Sequence, residues 1–389
     1  MVTNNEQNKL NVPHLRFPEF HGEWEKHGLS EYLDFKNGLN PDSKRFGKGI
    51  KFISVMDILN NPVITYDCIR ASVQATDAEI SSFSVEKGDI LFQRSSETLE
   101  DVGRANVYID DRVAVFGGFV IRGKKKANYN PLFFRYLLSS PYARKRIIPM
   151  GAGAQHFNIG QEGLSKVLLN FPSIEEQTKI ASLLHLLDER IATQSKLIED
   201  LKKLKSAISK KLLCNDKWTT CIIQDIAEIG RGRVISSVEI DRQKHPLYPV
   251  YSSQTSNNGI MGYLDNYMFD GEYITWTTDG ANAGTVFYRK GKFNCTNVCG
   301  TLKILPKFDC YFVSLVLQQA TQKYVSSNLA NPKLMNNTMA SIKIRMPNIE
   351  TQKQLSKVFQ TLDSCLLVHQ RTCKMYLSEK QYLLRQMFI

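Results

Sequence analysis

Two short polar stretches carry the side chains that could read nucleic acid. Gln93-Arg94-Ser95-Ser96 and Thr277-Thr278-Asp279-Gly280-Ala281-Asn282 each follow a strand-like run, which places them to project. Arginine suits guanine, asparagine and glutamine suit adenine, and serine or threonine suits either base. Basic residues fit for phosphate contact lie at Arg104, Lys124-Lys125-Lys126, Arg231 with Arg233, and Arg289-Lys290. Loops 151–156 and 331–337 occupy corresponding positions and add Gln155 and Lys333. An ordinary solvated turn is the plainer reading of any one of these taken singly.

Motifs for covalent chemistry are missing. The chain has no Gly-x4-Gly-Lys-Ser/Thr phosphate loop, no complete Gly-x-Gly-x-x-Gly, no HExxH and no Gly-x-Ser-x-Gly. Asn40-Pro41, Asn61-Pro62, Asn130-Pro131 and Asn331-Pro332 all lack the second proline of the amino-methyltransferase signature. Cys295 and Cys299 lack a companion pair at zinc spacing, so no metal ligand is assigned. No catalytic residue is assigned either. Binding is favoured over catalysis.

The elements that must position these loops follow from length and pattern. A chain of 389 residues implies two or three domains. With 42% apolar and 23% charged residues it is an ordinary globular composition. Fifty lysines and arginines against 38 acids give a net charge of +12, compatible with a polyanionic partner. No run of eighteen apolar residues exists, so no membrane partner is expected. Residues 1–9 are polar, which argues against a secretory leader. Eight scattered cysteines (68, 214, 221, 295, 299, 310, 365 and 373) fit reduced thiols in a cytoplasm.

The chain repeats itself. Phe171-Pro172-Ser173-Ile174-Glu175-Glu176-Gln177 aligns with Met346-Pro347-Asn348-Ile349-Glu350-Thr351-Gln352 at an offset of 175 residues, held to Leu213/Phe388. Trp24 and Gly38 match Trp218 and Gly232 at a larger offset, so the first unit carries insertions. After each proline comes a long segment without proline or glycine. Ile180, Leu184, Leu187, Ile191, Gln194, Ile198 and Leu201 mark a seam at coiled-coil spacing. Leu355, Phe359, Leu362, Leu366, His369 and Tyr376 mark its counterpart. Polar breaks recur at Gln194/His369 and Lys205/Lys380. Ser173 and Asn348 are the expected N-caps. A short connection to Trp218 favours antiparallel pairing of the two helices, with two similar heads at opposite ends; pairing between two chains is the alternative.

Each head reads as α+β. Strand-like runs cover 50–55, 89–93, 113–121 and 165–171 in the first, and 248–251, 272–277, 284–288 and 342–346 in the second. Helices are expected over 132–145 and 310–326. The expected divisions are an N-terminal arm 1–23, a head 24–172, a helix 173–217, a second head 218–347 and a second helix 348–389.

This order resembles the specificity subunit of type I restriction–modification systems. The resemblance spans essentially the whole chain. It is carried by Val12-Pro13-His14-Leu15-Arg16-Phe17-Pro18-Glu19-Phe20 with Trp24, by Gly88-Asp89-Ile90-Leu91, and by Pro-x-Ile-x-x-Gln at Pro172–Gln177 and Pro347–Gln352. Gly271-Glu272-Tyr273-Ile274 is a mild departure in the second head. The resemblance implies two target-recognition domains, each reading half of a bipartite, asymmetric site in double-stranded DNA. It implies helices that set the spacer and dock two methyltransferase subunits, with two motor–nuclease subunits joining for restriction. S-adenosylmethionine, ATP and magnesium would then belong to those partners, and the bacterial cytoplasm would be the place of action. The rival readings are a nuclease or methyltransferase with its own site, and a scaffold that binds only proteins.

Overall fold

A computed structural model describes residues 11–153, 155–213, 215–326 and 331–389. In the first half, strands β1 (Leu33–Asn37), β2 (Ile90–Gln93), β3 (Ala105–Val107) and β4 (Val120–Lys125) form one antiparallel sheet, and helix α1 (Pro131–Ser139) leads on to the long helix α2 (Ile174–Leu212). The second half repeats the plan with β5 (Ala227–Arg231), β6 (Glu272–Thr277), β7 (Val286–Lys290), β8 (Cys299–Ile304), α3 (Cys310–Ala320) and α4 (Ile349–Gln386). The sheet orders are β1-β4-β2-β3 and β5-β8-β6-β7, one topology used twice.

The smaller sheets repeat as well. Phe46–Ile53 pairs in parallel with Ala114–Phe116, as Tyr248–Tyr251 does with Asn294–Cys295. On the other side of the longer strand Ala71–Val73 pairs antiparallel in the first head, as Ile260–Leu264 does in the second, and the first head adds Ser84–Val85 at the edge beyond Ala114–Phe116. Glu25–Gly28 pairs with Leu168–Phe171, and Thr219–Ile222 with Lys343–Met346, so each head closes next to the start of its long helix.

Four expected elements differ. The strand expected over 165–171 begins only at Leu168, because Gln161–Ser165 is a short helix. The helix expected over 132–145 is two, because Pro141 has no N–H to donate and holds Ser140 extended; Ser140 then caps Pro141–Ile147. The strand expected over 113–121 is cut by a turn centred on Gly118-Phe119. Val55 opens a short helix, Val55–Asn60, rather than ending a strand.

The chain divides into two compact units, Met1–Ser195 with Gln370–Ile389, and Lys196–His369. In the first, Ile180, Leu184 and Leu187 of α2 share a core with Leu383, Met387 and Phe388 at the end of α4 and with Trp24 and Phe133 of the head. In the second, Ile208 of α2 packs with Leu355, Phe359 and Leu362 at the start of α4 and with Phe312 and Leu315 of the head. In both units the helices therefore run antiparallel and pair within the chain. The seam expected from spacing is real, and its ends are extensions of the head cores. Ile191 and Tyr376 pack at the edge of the first core, Leu366 is buried, and Ile198 and Leu201 are half-buried.

The seam lysines have equivalent partners. Lys380 bonds Asp188, which also accepts from Tyr136 Oη at 2.9 Å and Arg135 at 3.2 Å. Lys205 bonds Asp363, which accepts from Tyr311 Oη at 2.5 Å. Burial pushes both phenols up, so they remain donors.

The repeated glutamine is explained in the same way. Gln177 donates to Pro172 O at 3.0 Å and accepts from the backbone N–H of Asn130 at 3.1 Å. Gln352 donates to Pro347 O at 2.8 Å and accepts from the N–H of Asp309 at 2.9 Å. Asn130 and Asp309 are the N-caps of α1 and α3, so each glutamine locks a head helix to a long helix. Ser173 and Asn348 cap the long helices, accepting from Glu176 N and Thr351 N. Gln352→Ala would strand a buried N–H and a carbonyl together. It is expected to destabilise the second unit by about 2 kcal/mol, measured as a fall in its urea midpoint at unchanged slope.

The seven described cysteines are free; Cys214 lies outside the described residues. Among the described residues no helix is long and apolar enough to cross a membrane.

Candidate nucleic-acid interface

The two polar stretches emerge at equivalent ends of β2 and β6. In the first head a turn, 117–120, precedes β4 and is closed by Val120 N donating to Gly117 O at 2.9 Å. Arg94 N donates to Phe119 O at 2.9 Å, and the Arg94 guanidinium to Gly118 O at 3.2 Å. In the second head the turn 296–299 precedes β8 and is closed by Cys299 N to Thr296 O at 3.0 Å. Thr278 N donates to Val298 O at 2.9 Å, and the guanidinium of Arg231 to Asn297 O at 2.5 Å. One carbonyl is thus capped by arginine in both heads, but the arginine comes from the end of β2 in one and the end of β5 in the other. Gly38 and Gly232 let the chain pass: a Cβ would lie 2.1 Å from Gly117 O and from Cys295 O respectively.

Around these turns the structure gathers some expected residues. Ser95 bonds Asn158, and Ser95–Ser96 pairs with Phe157–Asn158. Gln155 is exposed between Ala152 and Asn158, which bridge to each other. In the second head Arg231 also bonds Thr278 Oγ1 at 3.0 Å and Asp279 at 3.2 Å, while Lys333 lies 3.8 Å from Asp279. Asn282 is exposed and donates to Ser253 O at 3.4 Å.

Other expected residues lie elsewhere. Gln93, Thr277 and Thr278 are buried rather than projecting, because the strand ends are covered on both faces; Gln93 donates to Ser95 O at 2.9 Å and braces the loop from inside. Arg289 is only 3% exposed, held between the rings of Tyr251 and Phe287, and burial pulls its pKa down to about 10. It does not face solvent in this fold. Lys290 ion-pairs with Glu272 at the far end of β6. Lys124, Lys125 and Lys126 sit at the opposite end of β4 from the turn, against Glu86, Tyr129 O and Ser30 O. Arg104 pairs with Asp101, and Arg233 with Glu239. Phe119 and Asn158 join the cluster without having been expected; Gly117-Gly118 directly ahead of Phe119 was the available signal.

The family model for the type I restriction modification DNA specificity domain matches residues 21–203 and 215–374. The chain belongs to this specificity family. Each half of the specificity subunit is one copy of the family domain, as the repeated topology requires. The Mycoplasma pneumoniae specificity subunit S.MpnORF201P is 37% identical over 198 residues, 50% of this chain and 82% of that one. The specificity subunit of the M. pneumoniae type I restriction enzyme MpnII is 42% identical over 145 residues, 37% of this chain and 43% of that one. The crystal structure of a type I restriction–modification S subunit from M. genitalium superposes with a TM-score of 0.69 at 17% identity, covering 97% of this chain and 99% of that one, and shares the fold.

Proposed function

We propose that the two heads of this specificity subunit each read one part of a split, asymmetric target in double-stranded DNA, and that the chain performs no chemistry itself. The observation that carries this reading is a single turn framework used twice with different side chains. Arg94, Ser95 and Phe119 stand in one head where Thr278, Asp279 and Val298 stand in the other. Unlike side chains on a common support read unlike sequences.

The long helices act as spacer ruler and docking platform. Leu197, Leu204, Val368, Met375, Leu377 and Tyr382 are exposed along them, apolar surface of the kind that partner proteins cover. Two methyltransferase subunits dock there, and two motor–nuclease subunits join for restriction. S-adenosylmethionine, ATP and magnesium act in those partners, in the bacterial cytoplasm.

Mapping methylated adenines across the genome of a host carrying this chain with its partners tests the reading. One two-part motif with unlike halves is expected; a single undivided motif or a palindrome overturns it. Fluorescence anisotropy at graded salt adds a second check. Affinity should fall with salt at a log–log slope of about −0.9 per phosphate contacted. A flat response would favour a protein-only scaffold, and cleavage or methylation by the chain alone would favour an enzyme.

A further inference from the structure

We propose that Phe119 is a base-contacting residue of the first head and reads the 5-methyl group of thymine; this rests on the DNA reading above. Phe119 is 69% exposed, yet its backbone is held as firmly as a core residue's. Gly117 N donates to Ile53 O at 3.0 Å, Gly118 N to Leu39 O at 2.9 Å, and Arg94 caps the carbonyls of Gly118 and Phe119. A Cβ on Gly117 would lie 2.6 Å from the Phe52 ring, and one on Gly118 1.8 Å from the Asn40 amide, so a larger residue at either position would push one of those side chains aside. The sequence therefore builds a fixed turn to present an aromatic ring to water.

The ring does not stand alone. Met56 is 60% exposed and Phe46 43%, and both line one open cleft of about 470 Å³ with Phe119. Polar groups edge it: Asn40, Ser54 and Ser95 line the same cleft, and Arg94 is adjacent in sequence. The cleft itself is mostly apolar, but it opens beside Arg94 and Ser95 on the turn framework that the two heads share, so Phe119 is placed to meet the same partner as those two side chains. In the major groove the apolar feature is the thymine methyl, and phenylalanine is among the side chains that meet it. The second head carries Asn297-Val298 on the equivalent turn, so the contact belongs to one head only.

The test uses the full chain assembled with its methyltransferase subunits. Wild type, Phe119→Ala and Phe119→Leu each select from a pool of random duplexes. Phe119→Ala should lose preference at one or two A·T pairs in one half of the enriched motif, leaving the other half unchanged, and Phe119→Leu should retain most of it. Replacing those thymines by deoxyuridine should weaken wild-type binding about fourfold, the worth of one buried methyl, and leave Phe119→Ala unaffected. The proposal is overturned if Phe119→Ala selects the same motif with the same deoxyuridine sensitivity. It is also overturned if the variant weakens every duplex equally, or fails to hold its methyltransferase subunits. If wild type selects no two-part motif, the proposed function itself falls.

Discussion

Lengthening α2 and α4 by four residues each is expected to shift the preferred target to one with a spacer about two base pairs longer, since four helical residues add about 6 Å and a base pair about 3.4 Å. The insertions belong between Asp188 and Lys205 in α2 and between Asp363 and Lys380 in α4, which leaves both lysine–aspartate pairs in place. On the original target, affinity should fall toward the non-specific level, about a thousandfold or more. Inserting seven residues instead keeps the heptad phase of the seam and should add about three base pairs. Selection from duplexes with randomised spacers reads both variants. An unchanged spacer would refute the ruler.

Arg16→Ala is expected to cost the first unit about 3 kcal/mol or more, because it leaves a buried carboxylate without its counter-charge. The Glu176 side chain is 1% exposed and accepts two bonds from the Arg16 guanidinium, at 2.8 and 2.7 Å, with a weaker one from Trp24 Nε1 at 3.3 Å. The same arginine donates to Gly22 O and His21 O and so fixes the segment that leads into the head. The position equivalent to Glu176 is Thr351 in the second half, which lacks such an arm. The double variant Arg16→Ala/Glu176→Thr should therefore recover much of the loss, since it removes both charges. Urea unfolding followed on the first unit checks this. Equal stability of Arg16→Ala and wild type would mean that the pair contributes nothing.

The long helices were legible because apolar residues repeat at seam spacing over many turns and nothing interrupts them. The duplicated topology was legible from paired prolines, glutamines and tryptophans. What the glutamines do was not. Their backbone partners, the N–H groups of Asn130 and Asp309, lie 47 and 43 residues away, and only tertiary structure brings them close. The break at Ser140-Pro141 was written in the sequence, but a continuous apolar pattern outweighed it. The reading loops were half legible. Polarity marked Arg94, Ser95, Arg231 and Asn282 as surface residues. It also marked Gln93, Thr277, Thr278 and Arg289, which the fold encloses because strand alternation fails where both sheet faces are covered. Phe119 differs the other way: an aromatic residue inside a strand-like apolar run, 113–121, gives no sign of exposure apart from Gly117-Gly118 until the turn that lifts it out is seen.

The glutamine lock and the tyrosine–aspartate–lysine cluster occur in both units with the same geometry, although the loops beyond them differ in length and chemistry. Each head is thus mounted on the same coupling, which on the proposed DNA reading stands apart from the loops that would read bases. Drift in the loops need not be answered by change in the coupling, so a lineage can acquire a new genomic address while the machinery that acts there keeps the same handle.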